Sequence, residues 1–362
     1  MSSLVELGWT EPLQRHFELY QREGLVPARV AVEHRTRYEL YSERGAVEAE
    51  LAGKLRHNAV ARRERPGVGD WVALLPPPEG GVGLIQAVAP RTSAFTRKVS
   101  GREHAEQVVA ANVDIVFIVT SLNAELNPRR LERYLTLGWE SGARPIVVLN
   151  KADRCEQPEP LVRSVEAVAA GVPLLQTSAK TGQGIEALRS FLLEHHTGAL
   201  LGSSGVGKST IINALLGFER QATAEIREDD ARGRHTTTRR ELVLLPGGGL
   251  LIDTPGMREL QLNEAGHGLL SAFEDIEALA QGCAFGDCRH GPEPDCAVRA
   301  AVAEGRLAAE RLESYHKLVR ELEHRASWEN KRLAVWQKQK QRVKAATKAL
   351  EQHVRRKRGP TP

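Results

Sequence analysis

Asn150-Lys151-Ala152-Asp153 precedes Gly202-Ser203-Ser204-Gly205-Val206-Gly207-Lys208-Ser209 in this chain, and that order decides how its central domain is built. The second stretch matches the phosphate-binding loop pattern G-x-x-x-x-G-K-[ST]. The first matches the pattern with which guanine-nucleotide-binding proteins read the base, normally far downstream of the phosphate loop. With the two in reverse order, the expected architecture is an α/β P-loop domain entered at a different point, a circular permutation. Permutation keeps the sheet and moves only the termini, which surface sites tolerate. Residues 191–198 are where the old ends would join.

The glycines of the loop permit positive φ and let an anion come close. Successive N–H groups then face inward at a helix N-terminus. Lys208 is placed to reach the β- and γ-phosphates and Ser209 to ligate Mg²⁺, with Thr210 completing the loop. The apolar run Ala199-Leu200-Leu201 reads as a strand leading into the loop, and residues 210–216 as a helix stopped by Gly217. About forty residues further on, Leu250-Leu251-Ile252 leads into Asp253-Thr254-Pro255-Gly256. That pattern predicts a second Mg²⁺ anchor at Asp253 and a γ-phosphate-sensing N–H at Gly256. Between them, the polar segment 232–239 reads as a switch loop, with either Thr237 or Thr238 closing over the metal.

Pro145-Ile146-Val147-Val148-Leu149 is a continuous apolar run, typical of a buried parallel strand. It presents Asn150, Lys151, Ala152 and Asp153 at its C-terminal end, where open α/β sheets bind ligands. The Asp153 carboxylate can accept from guanine N1–H and the exocyclic amine, donors that adenine does not offer there. A buried polar group left without its partner discriminates by about 10⁴ or more. Ser178-Ala179-Lys180 follows another apolar stretch and is expected to support the base at O6. Residues 113–119 form a further buried strand.

Cys283, Cys288, His290 and Cys296 fall within fourteen residues of one another and include three of the four cysteines in the chain. Thiolates and an imidazole at such spacing can close a tetrahedral Zn²⁺ site. Four protein ligands leave no open position, so the metal is expected to be structural. Cys155 stands apart as an ordinary thiol. Residues 331–358 hold eleven Lys or Arg and one acid, Glu351, while the whole chain carries a formal charge of only +4. Basic terminal segments often bind nucleic acid, and Trp328 and Trp336 lie beside these charges.

At 362 residues, two or three domains are expected. No apolar stretch reaches transmembrane length and no N-terminal targeting pattern is present, so a soluble, cytoplasmic monomer without a membrane role is expected. Residues 26–98 carry five short strand candidates, at 28–32, 37–42, 46–51, 70–75 and 83–88, separated by turn sequences. Five strands in this length suit an OB-type β-barrel. Arg29, Arg35, Arg37, Arg56, Arg62, Arg63 and Arg65 are expected to make its surface basic, and residues 92–112 read as a connector. The resulting division is an extension over 1–25, a barrel over 26–98, the permuted GTPase domain over 105–268, a helical zinc-binding module over 269–325 and a basic helical tail over 326–362.

With barrel, permuted nucleotide domain and Cys₃His module in that order, the chain resembles the RsgA (YjeQ/YloQ) family of small-ribosomal-subunit-dependent GTPases. The resemblance covers roughly residues 28–319. It implies GTP hydrolysis stimulated by the 30S subunit, late 30S maturation and binding to 16S rRNA. Met257 stands where many GTPases carry a catalytic Gln, which accords with slow intrinsic turnover, and His235 is the nearest candidate for orienting the attacking water. The alternative is a GTP-dependent RNA-docking protein whose hydrolysis is incidental.

Overall fold

A computed structural model of the protein describes residues 3–58, 62–77, 81–98, 106–123, 126–218, 240–253 and 267–323. The chain divides into two compact units, Met1–Leu307 and Ala308–Pro362. In the second unit, residues 309–323 are helical. The basic tail, with Trp328, Trp336 and Glu351, lies outside the described residues.

The first unit opens with helix α1 (Glu11–Arg22), which buries Phe17. The barrel follows: β1 (Val26–Glu33), β2 (Tyr38–Ser42), β3 (Gly45–Leu51), β4 (Trp71–Leu75) and β5 (Gly83–Val88), with the short helix α2 (Gly53–Asn58) after β3. Their order β1-β2-β3-β5-β4 closes through β1–β4 pairing, the OB arrangement expected from sequence. Alternating residues point inward along each strand, and Val30, Leu40, Ala49, Val72 and Ile85 fill the interior.

Residues 92–112 are not a plain connector. They form β6 (Ala94–Lys98) and β7 (Glu106–Ala111), an antiparallel ribbon with a bulge between Phe95 and Thr96. Two short strands with small residues gave no alternation strong enough to mark them as a hairpin.

The nucleotide domain then runs through β8 (Ile115–Ser121), α3 (Pro128–Ser141), β9 (Arg144–Asn150), α4 (Pro158–Glu166), β10 (Leu174–Gln176), α5 (Ile185–Ser190), β11 (Thr197–Gly202), α6 (Lys208–Leu216), β12 (Glu241–Leu244) and β13 (Leu250–Asp253). The sheet order is β10-β9-β8-β11-β13-β12, parallel except for β12. The phosphate-loop strand β11 thus lies between β8, which precedes it by some eighty residues, and β13, which follows it. That is the permutation. The turn from α5 into β11 holds Glu194 and His195 at φ 61° and 67°. Helices α7 (His267–Ala272), α8 (Glu274–Ala280) and α9 (Ala297–Ala303) complete the unit. Among the described residues, no helix is long and apolar enough to cross a membrane.

Arg29 is a correction to the sequence-based expectation. It is not on the barrel surface but 1% exposed, at the joint between barrel and nucleotide domain. Its guanidinium donates to the carbonyls of Leu7, Gly69 and Asn112, and its Cζ lies 5.6 Å from the Trp71 ring centroid. Burial pulls its pKa down to about 10, so it remains a cation at neutral pH. Arg37, also expected to add free positive charge, is paired with Glu48 and Glu50. Gly69, at φ 91°, is required at the joint because a Cβ there would collide with the Ala111 carbonyl.

Beside it, Asp70 is fully buried and receives a fork from Arg91 at 2.7 and 2.8 Å and the Gly67 N–H at 2.7 Å. Burial pushes the Asp70 carboxyl up from its ordinary value, against the downward pull of Arg91 and Gly67. Removing one partner leaves the other charge uncompensated. Asp70→Ala should therefore lower stability by about 3 kcal/mol, the low end for such pairs, because Arg91 keeps 20% of its side chain exposed. Urea unfolding followed by tryptophan fluorescence measures it. A loss within the ~0.5 kcal/mol of ordinary surface substitutions would show that the pair does not hold this loop.

Candidate functional site

The C-terminal ends of β8, β9, β11 and β13 converge on one edge of the sheet, where open α/β sheets bind ligands. Here β11 delivers the phosphate loop into α6, which starts at Lys208 and ends at Gly217 (φ 77°), the stop expected from sequence. Val206 is buried, and Ile211, Ile212 and Leu215 anchor α6 in the domain core. Lys208 Nζ donates to the carbonyls of Gly202 (2.9 Å) and Ser203 (2.6 Å), folding the ammonium back across the loop mouth. Tyr134 Oη, on α3, lies 3.4 Å from Ser203 Oγ.

The residues expected from sequence to read the base are tied to this loop by Asn150, which is 2% exposed at the end of β9. Its Nδ2 donates to the Val206 carbonyl at 2.8 Å. Its Oδ1 accepts from the Ala179 N–H at 3.1 Å and from Thr177 Oγ1 at 3.3 Å. One carboxamide therefore ties together three loops that lie 29 and 56 residues apart. Gly207 is needed for this approach: it sits at φ 97°, and a Cβ would collide with Asn150 Nδ2. Thr177 is a partner that sequence inspection missed, because nothing in its local pattern signals a contact across 27 residues.

Beyond Asn150 the chain turns sharply at Lys151, φ 64°, into a short 3₁₀ turn (Ala152–Arg154). Ser178 Oγ donates to Asp153 Oδ1 at 2.6 Å and also receives the Thr181 N–H. The fixed hydroxyl leaves the second carboxylate oxygen of Asp153 able to accept further donors. Ala152 N–H donates to the Thr177 carbonyl, a further bond between these two loops. Lys180 is exposed on the loop that follows Ser178, and Ser209 is partly exposed in the first turn of α6.

Asp253 ends β13, next to β11. Gly256 and Met257 lie outside the described residues, as do His235, Thr237 and Thr238. The Ser209 hydroxyl and the Asp253 carboxylate are oxygen donors of the hard kind that Mg²⁺ prefers, so the residues present fit the ion.

A second cluster lies between α8 and α9. Cys283, Cys288, His290 and Cys296 place their ligand atoms within 4.8 Å of one another. His290 Nδ1 is 3.6, 3.5 and 3.5 Å from the sulfurs of Cys283, Cys288 and Cys296, and the Cys283 and Cys296 sulfurs are 3.9 Å apart. Ordinary Zn–S and Zn–N bond lengths give tetrahedral edges of about 3.8 Å between sulfurs and about 3.5 Å from sulfur to nitrogen. The donor set and its spacing fit Zn²⁺. Glu293 holds the intervening turn by accepting the N–H groups of Arg289 and Gly291.

A phosphate loop and a base-reading loop joined across a reordered sheet define the class: a circularly permuted P-loop GTPase. The model of the family described as RsgA GTPase matches residues 88–263. The Lactiplantibacillus plantarum protein named small ribosomal subunit biogenesis GTPase RsgA 2 is 45% identical over 322 residues, covering 89% of this chain and 90% of that one. The crystal structure of YjeQ from Thermotoga maritima superposes with a TM-score of 0.63 at 30% identity, over 82% of this chain and 98% of that chain. YloQ, described as a circularly permuted GTPase, shares the fold at TM-score 0.60 and 23% identity, over 83% and 96% of the two chains. The chain belongs to the RsgA GTPase family.

Asn150→Ala would leave the Val206 carbonyl and the Ala179 N–H without their partner. Each buried polar group so orphaned costs about 1–3 kcal/mol. GTP and GDP affinity should both fall, by roughly 10- to 100-fold, in fluorescent-nucleotide titration. Unchanged affinity for both would mean that the three loops hold their geometry without this side chain.

Proposed function

We propose that this GTPase acts as a timing switch on the small ribosomal subunit, holding GTP in the cleft between the β9 and β11 loops and hydrolysing it late in 30S maturation. The observation that supports this is the Asn150 junction, which ties the loop carrying Asp153 to the phosphate-loop motif. Asp153 would accept two guanine donors, Lys151 would lie along the base plane through its aliphatic stem, and the Ser178–Lys180 loop would support the base. Gly202, Ser203, Ser204, Gly205, Val206 and Gly207 would cradle the phosphates with backbone N–H groups. Lys208 would exchange its two loop carbonyls for the β- and γ-phosphates, while Ser209, Thr210 and Asp253 would complete the phosphate and metal side. Mg²⁺, when bound, would offset the charge on those phosphates.

Relatives of this chain carry the name small ribosomal subunit biogenesis GTPase, which supports the small subunit as partner. The barrel, through Arg35, Arg56 and Arg65, and the tail would contact 16S rRNA, with the protein acting as a cytoplasmic monomer. Thr237 or Thr238 and Gly256 would close on Mg²⁺ and the γ-phosphate. His235 would orient the attacking water once the subunit orders its surroundings, since Met257 offers no hydrogen bond to it.

Turnover measured with and without purified 30S subunits tests the switch. Stimulation of about 10³-fold, the lower range for switches completed by a partner, is expected, and Lys208→Ala should lose both rates. Equal rates with and without subunits would favour docking with incidental hydrolysis. Separately, elemental analysis of freshly purified protein should find one Zn²⁺ per chain, lost in Cys288→Ser with GTP binding largely kept. A metal-free protein under reducing conditions would refute the zinc assignment.

A further inference from the structure

The barrel and the nucleotide sheet are one continuous surface of strands, and their seam lies close to the metal side of the site. Val32, near the end of barrel strand β1, pairs with Glu241, the first residue of β12. Glu241 in turn pairs with Asp253, the last residue of β13. Val32, Glu241 and Asp253 therefore form one row across three strands. At a strand spacing of about 4.8 Å, the barrel backbone is roughly 10 Å from the Asp253 backbone. A bulge between Val30 and Val32 shifts the β1–β2 register directly before this row. Bulges re-aim a strand, and here the residue that follows one is the residue that meets β12.

Side chains lock the seam. Glu33 follows Val32, and its two carboxylate oxygens both accept from Gln107 Nε2 at 3.0 Å. Arg240, directly before β12, brings Nη1 to 3.6 Å from Glu33 Oε2. The Glu33 and Arg240 side chains are only 15% and 13% exposed. An ion pair this well covered is screened little by salt, and removing one partner leaves a poorly solvated charge behind. Barrel, ribbon and β12 thus meet at a single carboxylate.

We propose that Glu33 is a positioning residue for GTP hydrolysis: through Arg240 and the Val32–Glu241–Asp253 row, it fixes where Asp253 presents its carboxylate to Mg²⁺. The barrel then sets how strongly metal strengthens nucleotide binding, and a ligand that shifts the barrel strand alters the metal side of the site. This rests on Asp253 being the metal anchor.

The test reads binding rather than turnover. Affinity of the full chain for a fluorescent, non-hydrolysable GTP analogue is measured in EDTA and across a Mg²⁺ titration. Substitutions along a coupled network change coupling by about 2- to 30-fold. Glu33→Gln should raise the Mg²⁺ midpoint within that range while leaving affinity in EDTA unchanged. Arg240→Gln should do the same, so the result does not depend on one variant folding. The double variant should add nothing further, because the two side chains act as one unit. Glu48→Gln, which breaks an ion pair elsewhere on the barrel, should leave the midpoint where it was. An unchanged midpoint in Glu33→Gln and Arg240→Gln, with a raised one in Asp253→Asn, would overturn the proposal alone. An unchanged midpoint in Asp253→Asn would overturn the metal-anchor reading beneath it.

Discussion

The Asn150 carboxamide is the constraint on which the site depends. A P-loop sheet fixes where β9 and β11 end, but it does not by itself fix the loops that leave them. Asn150 makes the positions of the base loop, the phosphate loop and the Ala179 loop mutually dependent, because its donor and acceptor are both committed. Its burial raises the cost of breaking either bond, since no water replaces the lost partner. Gly207 shows how little tolerance remains: the loop backbone comes so close that no side chain can stand between. The geometries of the Asp153 loop and of the phosphate-loop motif are consequently set together, at one residue.

Much of this was legible in the sequence because the relevant signals are local. The five barrel strands lie within two or three residues of their expected limits, since short apolar alternation between turn sequences is set by neighbours in the chain. The phosphate loop, its flanking strand and the glycine stop of α6 were readable for the same reason. The Cys₃His spacing also pointed to its geometry, because tetrahedral ligation restricts which residue types can share such a short segment.

What sequence did not reveal depends on partners far along the chain. Arg29 read as surface charge, yet three carbonyls from Leu7, Gly69 and Asn112 enclose it, and none of them is visible from its own neighbourhood. An arginine is tolerated inside a protein where backbone acceptors satisfy its fork, and that condition is only met in three dimensions. Arg91 and Asp70 are joined across 21 residues, and Glu33 and Gln107 across 74, with no motif to mark them. The ribbon β6–β7 escaped notice because its pairing spans a segment with little apolar contrast. In each case the missing information was the identity of a distant acceptor or donor.

The permutation also changes the order in which the nucleotide domain becomes available during synthesis. Strands β8, β9 and β10 pair among themselves, and all three are synthesised before β11, the strand that will lie beside β8. A nascent chain that has not yet reached Thr197 contains Asn150, Asp153 and Ser178 but no phosphate loop. Domains generally fold as units during translation, so this one cannot be completed until β11 and β13 have been made. In an unpermuted domain the phosphate-holding half would come first. Here the half that carries Asn150 and Asp153 waits for β11 and the loop after it, which are made only in the second half of this domain's synthesis.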